Sequence, residues 1–252
     1  MNWVLIGVIA VIAFNAFSGA KKGMIKIVFS LGVLVATILL TVVLAPVATG
    51  FVKENTKIYQ NIETATYKSI VKNNTVSKAF TQIGQQDIQV DSANPGSEIT
   101  GITDQVVDTL VLPASLRKEI QSNIDVEGFV ADGMASAQDM VAKFISTQIA
   151  TIIFNVIMFV VIFALIYIIM QIIIVAGDIL SRLPVIKQVN KAGGLVLGAF
   201  KGLIVVWVFF IVITMFCDTE FAKTVFAYVN DESLLAFIYN NNLILKLIFM
   251  VI

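Results

Sequence analysis

Four long apolar runs set the plan of the chain. The first spans Trp3 to Phe17 and the second Met24 to Ala45, ended by Pro46. A third runs from Ile149 to Ala176 and stops at Gly177-Asp178; a fourth runs from about Gly194 to Cys217. A helix rises about 1.5 Å per residue, so some 20 apolar residues cross a bilayer. The second, third and fourth runs meet that length. The first is short and needs Asn2 and Ser18 near the two interfaces. The third is longer than a bilayer requires, which predicts either tilt or a packed start above the membrane.

Between the second and third runs the pattern changes. "TKIYQNIETATYKSIVKNN" places Ile58, Ile62, Ala65 and Ser69 as a helical stripe. "GQQDIQVDSANPGSEITG" is polar and centred on Asn94-Pro95-Gly96, which predicts a surface loop over 84–103. In "DTLVLPASLRKEI" Pro113 marks a helix start, with Leu112 ahead of it. From Val126 onward, small residues and helix formers lead into the third run. After Cys217 short apolar patches alternate with polar breaks. Asp218 and Asp231 read as helix-start signals and Asn240-Asn241-Asn242 as a break. The last ten residues are too short to cross, which predicts amphipathic helices in the outer interface or against the bundle.

Composition agrees with a membrane protein. Of 252 residues, 58% are hydrophobic and 13% charged, about half the charge of a soluble domain. Lysine plus arginine balances aspartate plus glutamate at 17 each, so net charge points to no nucleic-acid partner. Where the charges sit is more informative. Lys21, Lys22 and Lys26 flank the link between runs one and two; Arg182, Lys187, Lys191 and Lys201 flank that between three and four, against Asp178 alone. Short basic links lie in the cytoplasm by the positive-inside rule. Both termini and the segment 51–148 then lie outside. No positive segment precedes the first run, which predicts an uncleaved helix.

Candidate chemistry is sparse. The absence of histidine removes Ser-His-Asp triads and histidine-ligated metals, and a single cysteine, Cys217, excludes an intrachain disulfide. Cys217 closes an apolar run and reads as packing. No phosphate-binding loop is written, no cofactor is implied, and the chain reads as a non-enzyme. Asn73-Asn74-Thr75 matches a glycosylation acceptor, a pattern common by chance.

One pattern is written twice. "SGAKKGMIKIVFSLGV" begins at Ser18 and "LGAFKGLIVVWVFFIV" at Leu197, both reading Gly-Ala-x-Lys-Gly into an apolar run. Gly19 and Gly23 are four apart, as are Gly194, Gly198 and Gly202, so each set lines one helix face. Small residues on one face let helix backbones approach closely; a glycine-lined pore or hinge is the sharper reading, static packing the commoner one. Lys22 and Lys201 precede the last glycine of each copy. Each reads as a snorkelling membrane anchor, with contact to an anionic lipid or substrate as the alternative. Asn15, Asn155, Gln171 and Lys26 are the other polar residues in the runs, and amides there more often join helices than line a conduit.

The stretches "GVIAVIAFNAFSGAKKGMIKIVFSLGVLVA" and "LPVIKQVNKAGGLVLGAFKGLIVVWVFFIVI" resemble the colicin V production protein (CvpA) family. That family typically has a short first span, a Gly-x-x-x-Gly opening to the second, and an Asn-x-x-x-Gly…Gly…Lys-Gly opening to a late one. The matching positions are Gly19, Gly23, Asn190, Gly194, Gly198, Lys201 and Gly202. The likeness covers the first fifty residues and 184–216, while the middle and the tail depart from the shorter family pattern. It implies a multi-pass bacterial inner-membrane protein, linked to toxin (colicin V-type) production and export, secretion and cell-envelope maintenance, with no defined catalytic residues. The lipid bilayer is the expected partner, with a homo-oligomer or other envelope membrane proteins beside it. A small oligomeric transporter or channel is the alternative.

The expected fold is therefore all-α and integral to the membrane, with four transmembrane helices as two hairpins. Residues 1–51 form the first hairpin, 52–148 an extracytoplasmic polar and helical segment, 149–217 the second hairpin and 218–252 an amphipathic interfacial tail.

Overall fold

A computed structural model describes residues 2–72, 103–104, 106–108, 111–122, 137–177, 187–217 and 219–251. Residues 84–102 of the expected loop, the Asn73 acceptor, the Gly177-Asp178 stop beyond Gly177 and the Asp218 signal lie outside the described residues; Thr103, the last residue of that expected loop, is helical and buried.

Every described element is helical. In chain order these are α1 (Trp3–Lys22), α2 (Met24–Asn55), α3 (Ile58–Lys72), α4 (Ala114–Ser122), α5 (Ala137–Gly177), α6 (Lys187–Thr214), α7 (Glu220–Asp231), α8 (Ser233–Asn240) and α9 (Leu243–Val251). Among the described residues, five segments are long and apolar enough to cross a membrane: α1, α2, Val141–Ile172 within α5, Asn190–Thr214 within α6, and Ser233–Met250, the last made from α8 and α9. Four of them are the expected runs. The fifth arises because the two short tail helices are nearly continuous, interrupted only at Asn241-Asn242.

The boundaries follow local chemistry. Asn2 caps α1, its Oδ1 accepting from the Leu5 amide at 3.1 Å while its Nδ2 donates to the Tyr228 carbonyl at 2.9 Å. Proline does not end α2, which runs on to Asn55 with Pro46 inside it. Proline removes one backbone donor, a loss that membrane helices tolerate when neighbouring groups restore the balance. Beyond it, Thr49 is buried and Val52 packs on the core. The 41-residue α5 begins well before the third apolar run, giving the packed start expected for an over-long span. Pro113 does open α4, its carbonyl accepting from the Leu116 and Arg117 amides at 3.0 and 3.1 Å. Asp231 instead closes α7, and Thr219 starts it by accepting from the Ala222 amide.

The spans do not pair as sequence neighbours. α1 packs most extensively on α6, and α2 packs on α5 and α6, whereas α1–α2 and α5–α6 contacts are slight. α3 lies on α5. Its buried stripe is Ile62, Thr66 and Ile70 with Tyr59, one position away from the expected Ile58-Ile62-Ala65-Ser69; Ile58 is about half exposed. The stripe is rotated because the Tyr59 hydroxyl meets Thr151 Oγ1 at 3.1 Å and Glu63 pairs with Lys143 at 2.8 Å.

The tail docks on the bundle. Tyr239 is fully buried and packs edge-on against Phe210 and Phe226, with its hydroxyl 2.8 Å from Thr214 Oγ1. Each such aromatic pair adds about 0.5–1.5 kcal/mol beyond the area it buries. Asn242, 1% exposed, joins the helix break to α6. Its Nδ2 donates to the Trp207 carbonyl at 3.0 Å and its Oδ1 accepts from the Ile244 and Leu245 amides at 3.1 Å, while Trp207 Nε1 donates to the Ile238 carbonyl at 3.1 Å. Cys217 is buried in the apolar core, as a packing residue should be.

Candidate functional site: the glycine crossing of α1 and α6

The two copies of the repeated motif meet each other. A Cβ on Gly19 would overlap the carbonyl oxygen of Gly194 and stand 2.9 Å from the Gly198 Cα. One on Gly198 would meet the Asn15 carbonyl oxygen and lie 3.0 Å from the Gly19 Cα; one on Gly202 would lie 2.9 Å from the Ile12 Cα. As α1 positions fall from 19 to 12, α6 positions rise from 194 to 202, so the helices run antiparallel. At each contact the obstacle is backbone, which cannot swing aside. Without side chains between them, the helices gain dispersion contacts that lipid could not supply.

The copies differ in local structure. The first straddles a break, because α1 ends at Lys22 and α2 starts at Met24. The second sits inside unbroken α6. Gly23 makes the break with φ +84° and ψ 158°, a region essentially confined to glycine that costs other residues about 1–3 kcal/mol. Its amide closes α1 by donating to the Gly19 carbonyl at 2.9 Å. Gly23 supplies no side chain to cap α2, and Asn190 of α6 takes part of that task, its Oδ1 accepting from the Ile25 amide at 3.3 Å. The same carboxamide sits where a Gly23 Cβ would fall. The turn after α1 and the start of α6 thus share one end of the bundle, as their lysine-rich sequences suggest.

Lys201 and Lys22 part company here. Lys22 is exposed at the end of α1. Lys201 is half-buried, and its Nζ donates to Ser30 Oγ of α2 at 2.6 Å. Eleven residues separate it from Asn190, which puts its Cα about 16 Å along α6. Among the described residues no carboxylate pairs with it. The ammonium therefore bridges two spans inside the apolar stretch, a place where ionised groups are costly and serve packing or binding roles. Of the lesser polar residues, Asn15 satisfies itself by donating to the Val11 carbonyl at 2.9 Å.

Asn190 entered the sequence argument only through the family likeness, and Ser30 did not enter it. Each works across more than 160 residues, and a lone serine in "IVFSLGV" carries no signal about its partner.

Residues 129–240 match the family model of the colicin V production protein. The match takes in α6 with the second motif copy and much of the tail, and stops short of the first hairpin, where the sequence likeness began. No curated protein and no solved structure matches the chain.

Proposed function

We propose that this chain, a member of the colicin V production protein family by its residues 129–240, is a non-enzymatic inner-membrane protein that supports toxin production or export and envelope maintenance by scaffolding other membrane proteins. The observation that carries this reading is the α1–α6 crossing. It closes backbone to backbone, and with the packing of α2 on α6 it joins both amino-terminal spans to the family region, which suits a platform better than a conduit. Deleting the gene in a cell that makes a secreted peptide toxin should reduce the zone of growth inhibition it produces. A tagged chain should co-purify envelope partners after crosslinking in native membranes. Unchanged toxin release with no captured partner would defeat the proposal.

A second reading, an oligomeric transporter or channel, draws on the Lys201–Ser30 contact, because ionisable groups within spans mark pathways in many carriers. Solute flux or conductance in liposomes of the purified protein would favour it.

A further inference from the structure

We propose that the seam between α2 and α6 binds a phosphate group, held by Lys201 with Lys22 and Lys26 around it. An ammonium has three donors. Lys201 gives one to Ser30, and among the described residues the other two have no acceptor. A half-buried cation so placed is costly unless an anion or water answers it. Two further cations surround the seam. Lys22 is near enough to Lys201 for the two charges to repel. Lys26 lies four residues before Ser30, hence one turn toward the basic end on the same face of α2. No described carboxylate offsets this group: the ion pairs among the described residues are Arg117–Asp108, Lys143–Glu63 and Lys223–Glu220, all elsewhere.

Repelling cations with no carboxylate partner among the described residues call for an external anion, and a phosphate carries several acceptor oxygens that can reach more than one ammonium. Lys26 lies one turn nearer the basic end, the side from which an anionic phospholipid headgroup or a free phosphate would enter. Both present the same chemistry. The inference goes beyond the scaffold reading and does not depend on it.

The test uses the purified full-length protein. Melting midpoints are compared in nanodiscs of phosphatidylcholine alone and with about one-third phosphatidylglycerol, and in neutral detergent with and without millimolar inorganic phosphate. Phosphatidylglycerol should raise the midpoint by about 3 °C or more if a lipid headgroup is the ligand, and inorganic phosphate should do so in detergent if the free ion is. Either gain should vanish in Lys201→Met and persist in Lys201→Arg. Ser30→Ala removes the protein acceptor and should keep the gain, so the comparison survives even if Lys201→Met does not accumulate. No gain from either anion in the wild type, or a gain unchanged in Lys201→Met, would overturn the proposal. A gain lost in Ser30→Ala would overturn it too, since the anion would then depend on the hydroxyl instead of the lysine cluster.

Discussion

Gly19 of α1 and Gly194 of α6 touch backbone to backbone, although 175 residues separate them in the chain. A side chain on either would collide with peptide atoms of the other. Gly198→Leu and Gly19→Ala should therefore destabilise the detergent-solubilised protein by about 1–3 kcal/mol through overpacking. Gly7 and Gly32 meet nothing within 4 Å. Alanine there should be neutral or stabilising by up to about 1 kcal/mol, since it is the better helix former. Equal effects at all four positions in thermal melts would show that the seam is not what the glycines serve.

Glu63 is held by Lys143 at 2.8 Å and Thr147 at 3.0 Å, with Lys53 nearby, and these fasten α3 to α5. Partial burial raises the carboxyl's pKa, but hydrogen bonds from Lys143 and Thr147 and the charges of Lys143 and Lys53 outweigh it, so the net direction is down. A carboxylate with a depressed folded-state pKa contributes stability above its ordinary value, near 4.5, and loses it as pH falls through the lowered one. Acid should release α3 below about pH 4.5, seen as faster amide exchange over 58–72. Glu63→Gln should show faster exchange already at neutral pH and lose that acid-dependent step.

Asn242 satisfies three backbone groups at a buried break. Asn242→Ala strands two amides and leaves a void, at a cost of about 1–3 kcal/mol. Asn241→Ala, whose side chain donates to the Phe237 carbonyl and accepts from Lys246 Nζ at 3.5 Å, both at the exposed surface, should cost far less. Comparable melting shifts for both would contradict the docking of the tail through Asn242.

How much of this was open to sequence reasoning depended on range. Run lengths revealed the four principal spans, because hydrocarbon thickness sets a minimum that few other structures satisfy. Glycine spacing revealed that α6 has a close-packing face. The identity of the partner helix was hidden, since hairpin logic favours the neighbour in sequence, and α1 is not the neighbour. Pro46 misled because its local cost is offset by packing further along α2. Ser30 misled by silence: nothing near it in sequence mentions Lys201.

The tail offers a sharper question of sidedness. Ser233–Met250 is long and apolar enough to cross. Yet the last residue of α8 and the far end of α9 both lie beside α4: the Ser115 amide donates to Asn240 Oδ1 at 3.1 Å, and Met250 shares a cleft with Lys118 and Ser122. We expect the carboxyl terminus to stay on the same side as α4. An alkaline phosphatase fused after Ile252 should be active, and a green fluorescent protein there should be dark. The reverse pattern would make the tail a fifth crossing.

The central claim is that α1 packs antiparallel on α6 through the paired glycine faces. Val11 and Val205 line one groove between these helices, on the side of the crossing away from the basic turn. In a Cys217→Ser background, Val11→Cys and Val205→Cys should join through a short thiol crosslinker in native membranes. With a protease site placed near Ser97, the two fragments should then stay together on a denaturing gel. The control pair Val11→Cys with Val161→Cys, on the exposed face of α5, should fall apart. Crosslinking of the control pair but not of Val11 with Val205 would contradict the crossing and the account built on it.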